Sequence, residues 1–483
     1  MADDASERNH MNTVDIPLII RGQIIETDMQ RFGARSGGVD FRAPDLTKHL
    51  AKLPTSAQSL TDLYQISLDE IIDFMAEVAA RLDFDTNAHL RAAFELSSST
   101  SNLTPSILEQ VYRNFAKSFT REVIANFVEV QIGRDYLEGW VPHDVGDGKV
   151  LNMRAFGARG IHVIAGNSPG IAFLTILRTA LTRSDSIIKL PSNDPVTAIA
   201  IMRTMIDVDP NHPVTRHLSA AYWKGGDERV EAALYQPRNI EKIVAWGGFA
   251  SITHITRYLQ PGIDLITLDP KHSGSIIGSE ALESDESIEE VAAEAARDIG
   301  SMNQELCANA RVLYVVCDEH DPKQMAQLNR LGERILAALQ ELPPTISTIA
   351  KEVNPELQEQ LAGIALQDDF FKIHRHADER AGAIVVSQID EVVEFSAILS
   401  KRTANLVPVA SVDDVLKRIT AASQTIGVYP DALKRKIRDA LAIQGAQHIV
   451  SLGKVTQMGL IGPQDGLQVE RRMLRWIRDM SVD

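Results

Sequence analysis

The chain has 483 residues, 44% of them hydrophobic and 24% charged, and a net charge of −16 at neutral pH. That length holds two or three domains, each with its own core. The acidic balance argues against nucleic acid or an anionic membrane as a main partner, since those surfaces are met by clustered Lys and Arg. Two cysteines make no disulfide framework, so a reducing compartment, the cytoplasm, is expected. No apolar run is long enough to span a bilayer, and neither a CxxC nor an HExxH pattern marks a metal site.

Met1 to Asn12 are polar, lack the apolar stretch of a leader peptide and read as a frayed end. Ile16-Pro17-Leu18-Ile19-Ile20 and Gln23-Ile24-Ile25 predict a hairpin around Arg21-Gly22. Helical spacing follows over 67–82 and 105–127, with a Ser/Thr-rich break at 97–104. From about 155 the pattern sharpens. Gly160 to Gly166 predicts a buried strand, 171–182 a helix and 186–190 the next strand. Ser192-Asn193-Asp194-Pro195 reads as a helix start, a capping side chain followed by proline. Strands at 218–223, 243–246 and 265–268 alternate with helices at 227–235 and 249–259. This is the pattern of a parallel sheet covered on both faces. Ligands of such sheets sit beyond the carboxyl ends of the strands. Asn167, Lys189, Lys224, Gly225-Gly226 and Gly247-Gly248 all fall there.

A second α/β unit is expected from about 270. Ser275-Ile276-Ile277 predicts a strand and Ser287-Ile288-Glu289-Glu290 a capping box. The helix that follows presents Ile288, Val291, Ala292, Ala295 and Ile299 on one face and stops at Gly300. Residues from Ile443 onward are turn-rich and predict a basic, aromatic helix at 471–478. The expected organisation is a first α/β domain with its N-terminal segment over 1–266 and a second α/β domain over 267–440. Residues 441–483 are expected to return to the first domain or to an oligomer interface.

Cys307 stands between the predicted helix and a β-rich run, Arg311-Val312-Leu313-Tyr314-Val315-Val316. A thiolate is a strong nucleophile and can hold an acyl group as a thioester. The plainer alternative is a small buried filler. No GxGxxG occupies the strand-to-helix turns, so the usual dinucleotide fingerprint is absent.

Four segments in order resemble the motifs of the aldehyde dehydrogenase superfamily. They are Gly166-Asn167-Ser168-Pro169, Lys189-Leu190-Pro191-Ser192, Val244-Ala245-Trp246-Gly247-Gly248-Phe249, and Asn303-Gln304-Glu305-Leu306-Cys307-Ala308 with Arg311-Val312. Within the superfamily the chain resembles the LuxC-type fatty acyl reductases. That likeness adds Lys271-His272-Ser273-Gly274-Ser275, Arg402-Thr403-Ala404-Asn405, Gly462-Pro463-Gln464-Asp465-Gly466 and Arg472-Met473-Leu474-Arg475-Trp476.

The resemblance implies an aldehyde dehydrogenase-like α/β fold, a doubly wound parallel-sheet domain binding a nicotinamide cofactor over 1–266 plus an α/β catalytic domain carrying Cys307 over 267–440. It implies Cys307 as nucleophile, Asn167 as oxyanion donor and His272 as a candidate for taking the thiol proton. It implies cofactor contacts from Ala165, Gly166, Lys189, Ser192, Lys224, Gly226, Trp246, Gly247 and Gly248, and no metal. Glu394 and Asn405 are candidates for a second ribose contact. Hydrolytic members carry a glutamate where this chain has Leu268, and leucine cannot act as a base; Asp269 or His272 takes that place if the register shifts by a few residues. Members that prefer NAD carry a glutamate three residues after the cofactor lysine; here Ser192 stands there, and a hydroxyl beside Lys189 accepts a 2′-phosphate. The implied activity is NADPH-dependent reduction of a fatty acyl thioester, acyl-CoA or acyl-carrier protein, to an aldehyde. An acyl-protein synthetase partner and a homo-oligomer are implied with it. An aldehyde dehydrogenase running toward the acid, an acyl-phosphate reductase of the same fold, and a non-catalytic scaffold of an acyl-transfer complex stay open as alternatives.

Overall fold

The run Ile161-His162-Val163 is buried on both faces because its strand, Arg159–Val163, sits inside a seven-stranded sheet. In the computed structural model, which describes residues 14–33, 40–457 and 459–481, that sheet has a parallel core. Its strand order is Asp264–Leu268, Lys242–Trp246, Arg159–Val163, Asp185–Lys189 and Leu218–Ala221, then the antiparallel hairpin Leu18–Ile20 and Gln23–Ile25. Chain order runs outward in one direction from Arg159–Val163 and then resumes on its other side with Lys242–Trp246. The crevice at that reversal is where such sheets bind ligands. The reading of Met1 to Asn12 lies outside the described residues.

A second seven-stranded sheet runs Phe371–Arg375, Ala383–Ser387, Thr403–Val409, Ala310–Val316, His272–Ile277, Ser423–Tyr429 and His448–Ser451. All its pairs are parallel except the first. It includes a strand, His448–Ser451, from the stretch beyond 440. Its helix Asp285–Gly300 buries Ile288, Val291, Ala292, Ala295 and Ile299, the face seen in the sequence.

Four local readings change. The helix Ala88–Thr100 takes in the first half of the Ser/Thr stretch, where Ser97 Oγ and Tyr112 Oη share a buried hydrogen bond that satisfies the hydroxyl, and the break itself is confined to 101–104. The single helix expected at 105–127 is three, Pro105–Arg113, Phe115–Ser118 and Arg121–Gln131, the last capped by Thr120. The capping box is Ser284 with Ser287, one turn earlier than expected. The helix after Lys189 begins at Thr197, because the Asp194 carboxylate accepts from both Thr197 N and Thr197 Oγ1.

The C-terminal correction is the largest. The helix is only Val469–Met473, and Arg475–Ser481 is a strand, antiparallel to Val150–Phe156. With Val141–Asp144 these make a three-stranded sheet, which gives the Val150–Phe156 edge a partner. The approach to that strand is fixed by charge. Arg178 and Glu470 pair at 2.6 Å with side chains 5% and 1% exposed, Arg178 Nη2 donates to Gln464 Oε1 at 2.8 Å, and Gln131 Nε2 donates to Glu470 Oε2 at 2.9 Å. Removing one member of a buried pair strands the other's charge, which typically costs about 3–5 kcal/mol. Arg178→Ala is therefore expected to lower stability by about that amount, read as a loss of denaturant midpoint with unchanged slope.

Candidate active site

A cavity of about 890 Å³ opens between the carboxyl ends of the first sheet and the amino ends of the second. Asn167, Lys189, Ser192, Trp246, Gly247 and Gly248 line it from one side; Cys307 and Arg311 line it from the other. Gln464 and Asp465 of the C-terminal loop complete the wall.

Cys307 reaches this wall through strained backbone. Met302, Asn303 and Gln304 have φ of 53°, 52° and 63°, left-handed values that cost roughly 1–3 kcal/mol per non-glycine residue. Each turn of that backbone is fastened. Asn303 Oδ1 accepts from Thr348 N at 2.8 Å, and Gln304 bridges Thr403 N, Thr403 O and Ala310 O at 2.8–3.0 Å. Asn309 Oδ1 accepts from Leu306 N at 2.9 Å, while its amide donates to the carbonyls of Asp298 and Ser301. Ser273 Oγ donates to the Cys307 carbonyl at 2.7 Å. The Asn-Gln-Glu-Leu-Cys motif is thus a set of backbone clamps around one thiol.

Burial pushes the Cys307 thiol up, and the nearby Asp465 charge adds to that; a hydrogen bond from Gln424 Nε2 to Sγ at 3.1 Å and the Arg311 guanidinium pull it back toward ionisation. Burial in turn holds Arg311 below the usual guanidinium range. Asp465 is raised by burial, and Gln424 Nε2 donates to its Oδ1 at 2.5 Å. The other cysteine, Cys317, is buried, and its thiol is pushed up to about 12 by desolvation.

Asn167 follows the strand Arg159–Val163 and donates its amide Nδ2 to the Glu305 carbonyl at 3.1 Å, two residues before the thiol. Its Oδ1 is buried without a partner. Glu305 itself is tied to Lys401 at 2.6 Å and Asn102 at 3.1 Å. Leu268 ends its strand in the cavity wall, 4% exposed, and packs with Val469 and Met473. The neighbouring Asp269 is engaged by Lys271 at 3.1 Å.

The other side of the cavity fits an extended polar group. Lys189 ends its strand with Nζ 5.4 Å from the Trp223 ring, and Ser192 stands in the same wall. A Cβ on Gly248 would meet nothing within 4 Å, so the Gly247-Gly248 turn leaves open space ahead of the helix Phe249–Thr256. A Cβ on Gly166 would fall 2.3 Å from Asn193 Oδ1, so only glycine lets these two turns close together. A nicotinamide nucleotide matches this donor set: an amine, a hydroxyl, bare backbone and a helix start.

Nine of the residues expected at the site from sequence line the cavity: Cys307, Asn167, Ala165, Gly166, Lys189, Ser192, Trp246, Gly247 and Gly248. Lys224 and Gly226 lie exposed beyond Leu218–Ala221, away from this wall. His272 opens the strand His272–Ile277 with an exposed ring and is not in the wall either. Asn405 is spent inside the second sheet, accepting from Val393 N and donating to Val385 O and Ser387 Oγ, and Glu394 is exposed. Sequence reasoning missed Gln424, and it placed Arg311 in the motif around Cys307 without giving it a role. The one visible sign of Gln424 was a large amide opening a strand that goes on Thr-Ile-Gly-Val.

A model of the family "Acyl-CoA reductase (LuxC)" matches residues 63–476. The long-chain acyl-protein thioester reductase of Vibrio harveyi is 26% identical over 476 residues, covering 96% of this chain and 92% of that one. Its counterpart from Photorhabdus laumondii is 30% identical over 356 residues, 72% of this chain and 69% of that one. A solved lactaldehyde dehydrogenase superposes with TM-score 0.70 at 15% identity, covering 98% of this chain and 100% of that chain. An NADP-dependent glyceraldehyde-3-phosphate dehydrogenase from Bacillus halodurans, complexed with NADP, gives 0.70 at 11% identity, with 97% and 99% covered. The fold is accordingly that of the aldehyde dehydrogenases. Since the family match runs through the first sheet, the Cys307 approach and the C-terminal loop alike, the chain belongs to the acyl-CoA reductase (LuxC) family.

Proposed function

We propose that the protein reduces a fatty acyl thioester to an aldehyde with NADPH, through an acyl group held on Cys307. The observation that carries this is the meeting of a fastened, solvent-reachable thiol, an asparagine amide and a glycine-walled nucleotide space on one cavity. The relatives are named for reduction of acyl-protein thioesters, which supports a thioester borne by a carrier protein or CoA as donor. Val111, Phe115, Phe119, Ile171 and Leu174 give the cavity an apolar stretch suited to an alkyl chain.

The Cys307 sulfur attacks the thioester carbonyl, a new C–S bond forms, and the carrier leaves as its thiol with the proton. One thioester replaces another, so the step is close to even in energy. NADPH, when bound, supplies the hydride that reduces the acyl carbon. Asn167 and the Cys307 backbone N–H donate to the oxygen that becomes negative there. Collapse of that oxyanion breaks the C–S bond, frees the aldehyde and returns the thiolate. Leu268, packed on Val469 and Met473, offers no base to activate water against the acyl group. Release therefore goes by reduction or by transfer to another thiol. In a single-turnover mixture of acyl-CoA and NADPH, aldehyde is the expected product; stoichiometric fatty acid would overturn this reading.

The NADPH preference rests on Ser192. Ser192→Glu sets a carboxylate against a 2′-phosphate and is expected to cut kcat/KM for NADPH by on the order of tenfold or more while sparing NADH. Equal loss with both cofactors would remove Ser192 from that contact. We propose further that the protein works as a homo-oligomer in the cytoplasm, alongside an acyl-protein synthetase; two free thiols are consistent with a reducing compartment.

A further inference from the structure

Gln424 is the second residue of Ser423–Tyr429 and is only 3% exposed. Its two amide hydrogens have two acceptors, Cys307 Sγ at 3.1 Å and Asp465 Oδ1 at 2.5 Å. Its Oε1 is buried without a partner, so both acceptors, and not the carbonyl, set the orientation of the amide. An N–H aimed at sulfur favours the thiolate, the stronger acceptor, over the thiol.

Asp465 is brought to this point by an elaborate tether. It sits at φ 51° in the Gly462–Gly466 turn. Gln131 holds Gly462 by two hydrogen bonds, from its Nε2 to the Gly462 carbonyl at 3.0 Å and from Gly462 N to its Oε1 at 2.9 Å. Arg178 holds Gln464, and Arg178 is itself locked to buried Glu470. As a bare negative charge, Asp465 opposes ionisation of the neighbouring thiol. Its hydrogen bond to Gln424 works in the opposite direction, by keeping the amide on sulfur.

We propose that Gln424 is a catalytic residue that stabilises the Cys307 thiolate, and that Asp465 is a positioning residue acting through it. This rests on Cys307 being the acyl carrier and adds what makes that thiol reactive. The other charged group acting on the sulfur is Arg311, which favours the thiolate; Asp269, Lys271 and Glu305 line the same cavity, with Asp269 paired to Lys271 and Glu305 to Lys401.

The test is iodoacetamide alkylation of the full-length protein across pH 6–10, without acyl donor or NADPH. Peptide mass analysis assigns the label to Cys307; Cys317, 4% exposed, reports little. Gln424→Ala is expected to raise the apparent thiol pKa by about one unit and slow alkylation at neutral pH about tenfold, with the high-pH plateau unchanged. Asp465→Ala should move the profile the same way. Asp465→Asn keeps an oxygen for the Gln424 amide and removes the charge, so its profile should sit at or below the native one. An unchanged profile in Gln424→Ala overturns the proposal. So does an Asp465→Ala profile that falls together with Asp465→Asn, which would be a charge effect alone. If Gln424→Ala does not melt like the native protein, Gln424→Met keeps the length without the donor and carries the same expectation. Alkylation needs neither acyl group nor cofactor, so a wrong donor or hydride source leaves this outcome intact and fails only in the turnover assays.

Discussion

Cys307→Ala is expected to abolish reduction, with turnover falling on the order of 10⁴–10⁶-fold, as for loss of other enzymic nucleophiles. The same substitution should leave no radiolabel on the protein after incubation with labelled acyl-CoA and denaturation. Alanine fits the site, because the backbone around residue 307 is held by Asn303, Gln304, Asn309 and Ser273 and not by the thiol. NADPH binding, followed by fluorescence, should therefore survive. Label that persists in Cys307→Ala would move the nucleophile elsewhere, and Cys317 is a poor second, buried with its thiol pushed up to about 12.

Asn167→Ala should separate the two halves of the reaction. Removing one oxyanion donor typically slows the step it serves by about 10²–10³-fold. Acylation of Cys307, followed by burst labelling, should change little, while oxidation of NADPH in a single turnover falls by that factor. Asn167 also donates to the Glu305 carbonyl at 3.1 Å, so it steadies the approach to the thiol as well. An equal fall in both steps would mean that this second role dominates and that the oxyanion is held by other groups.

The alternating sheet was legible because parallel strands buried on both faces read as unbroken apolar runs bounded by polar tips. The placing of Asn167, Lys189 and the Gly247-Gly248 turn on the cavity wall was legible for the same reason, since each lies at or just after the carboxyl end of a strand; Cys307 stands out as a lone thiol between helix and strand, and Ser192 through the family resemblance. The C-terminus was misread because Arg471 to Arg478 has a helix-compatible pattern, and what makes 475–481 a strand is a partner, Val150–Phe156, more than three hundred residues earlier in the chain. Gln424 was passed over for a related reason. One buried amide carries no periodic signal, and its two acceptors come from segments 117 and 41 residues away. His272 and Lys224 show the limit of the strand-end rule. Each sits at or just beyond the end of its strand that faces the cavity, yet neither residue lines it.

If Gln424 and Asp465 set the readiness of the thiol as proposed, the loop Gly462–Gly466 ties it to the order in which the chain is made. A nascent polypeptide that has passed Ser451 already contains every strand of both seven-stranded sheets, and so the whole cavity floor. Its thiol then lacks Asp465 and the Arg178–Glu470 lock, and sits beside an unanchored Gln424 amide. Loss of the chain beyond Leu460 would also leave the Arg178 charge buried without Glu470 and the Val150–Phe156 edge without its partner strand, so such a product is expected to be both less stable and less reactive at Cys307. The same segment thus couples the stability of the fold to the readiness of the thiol, and a lowered melting temperature and a slowed alkylation of Cys307 are expected together when it is lost.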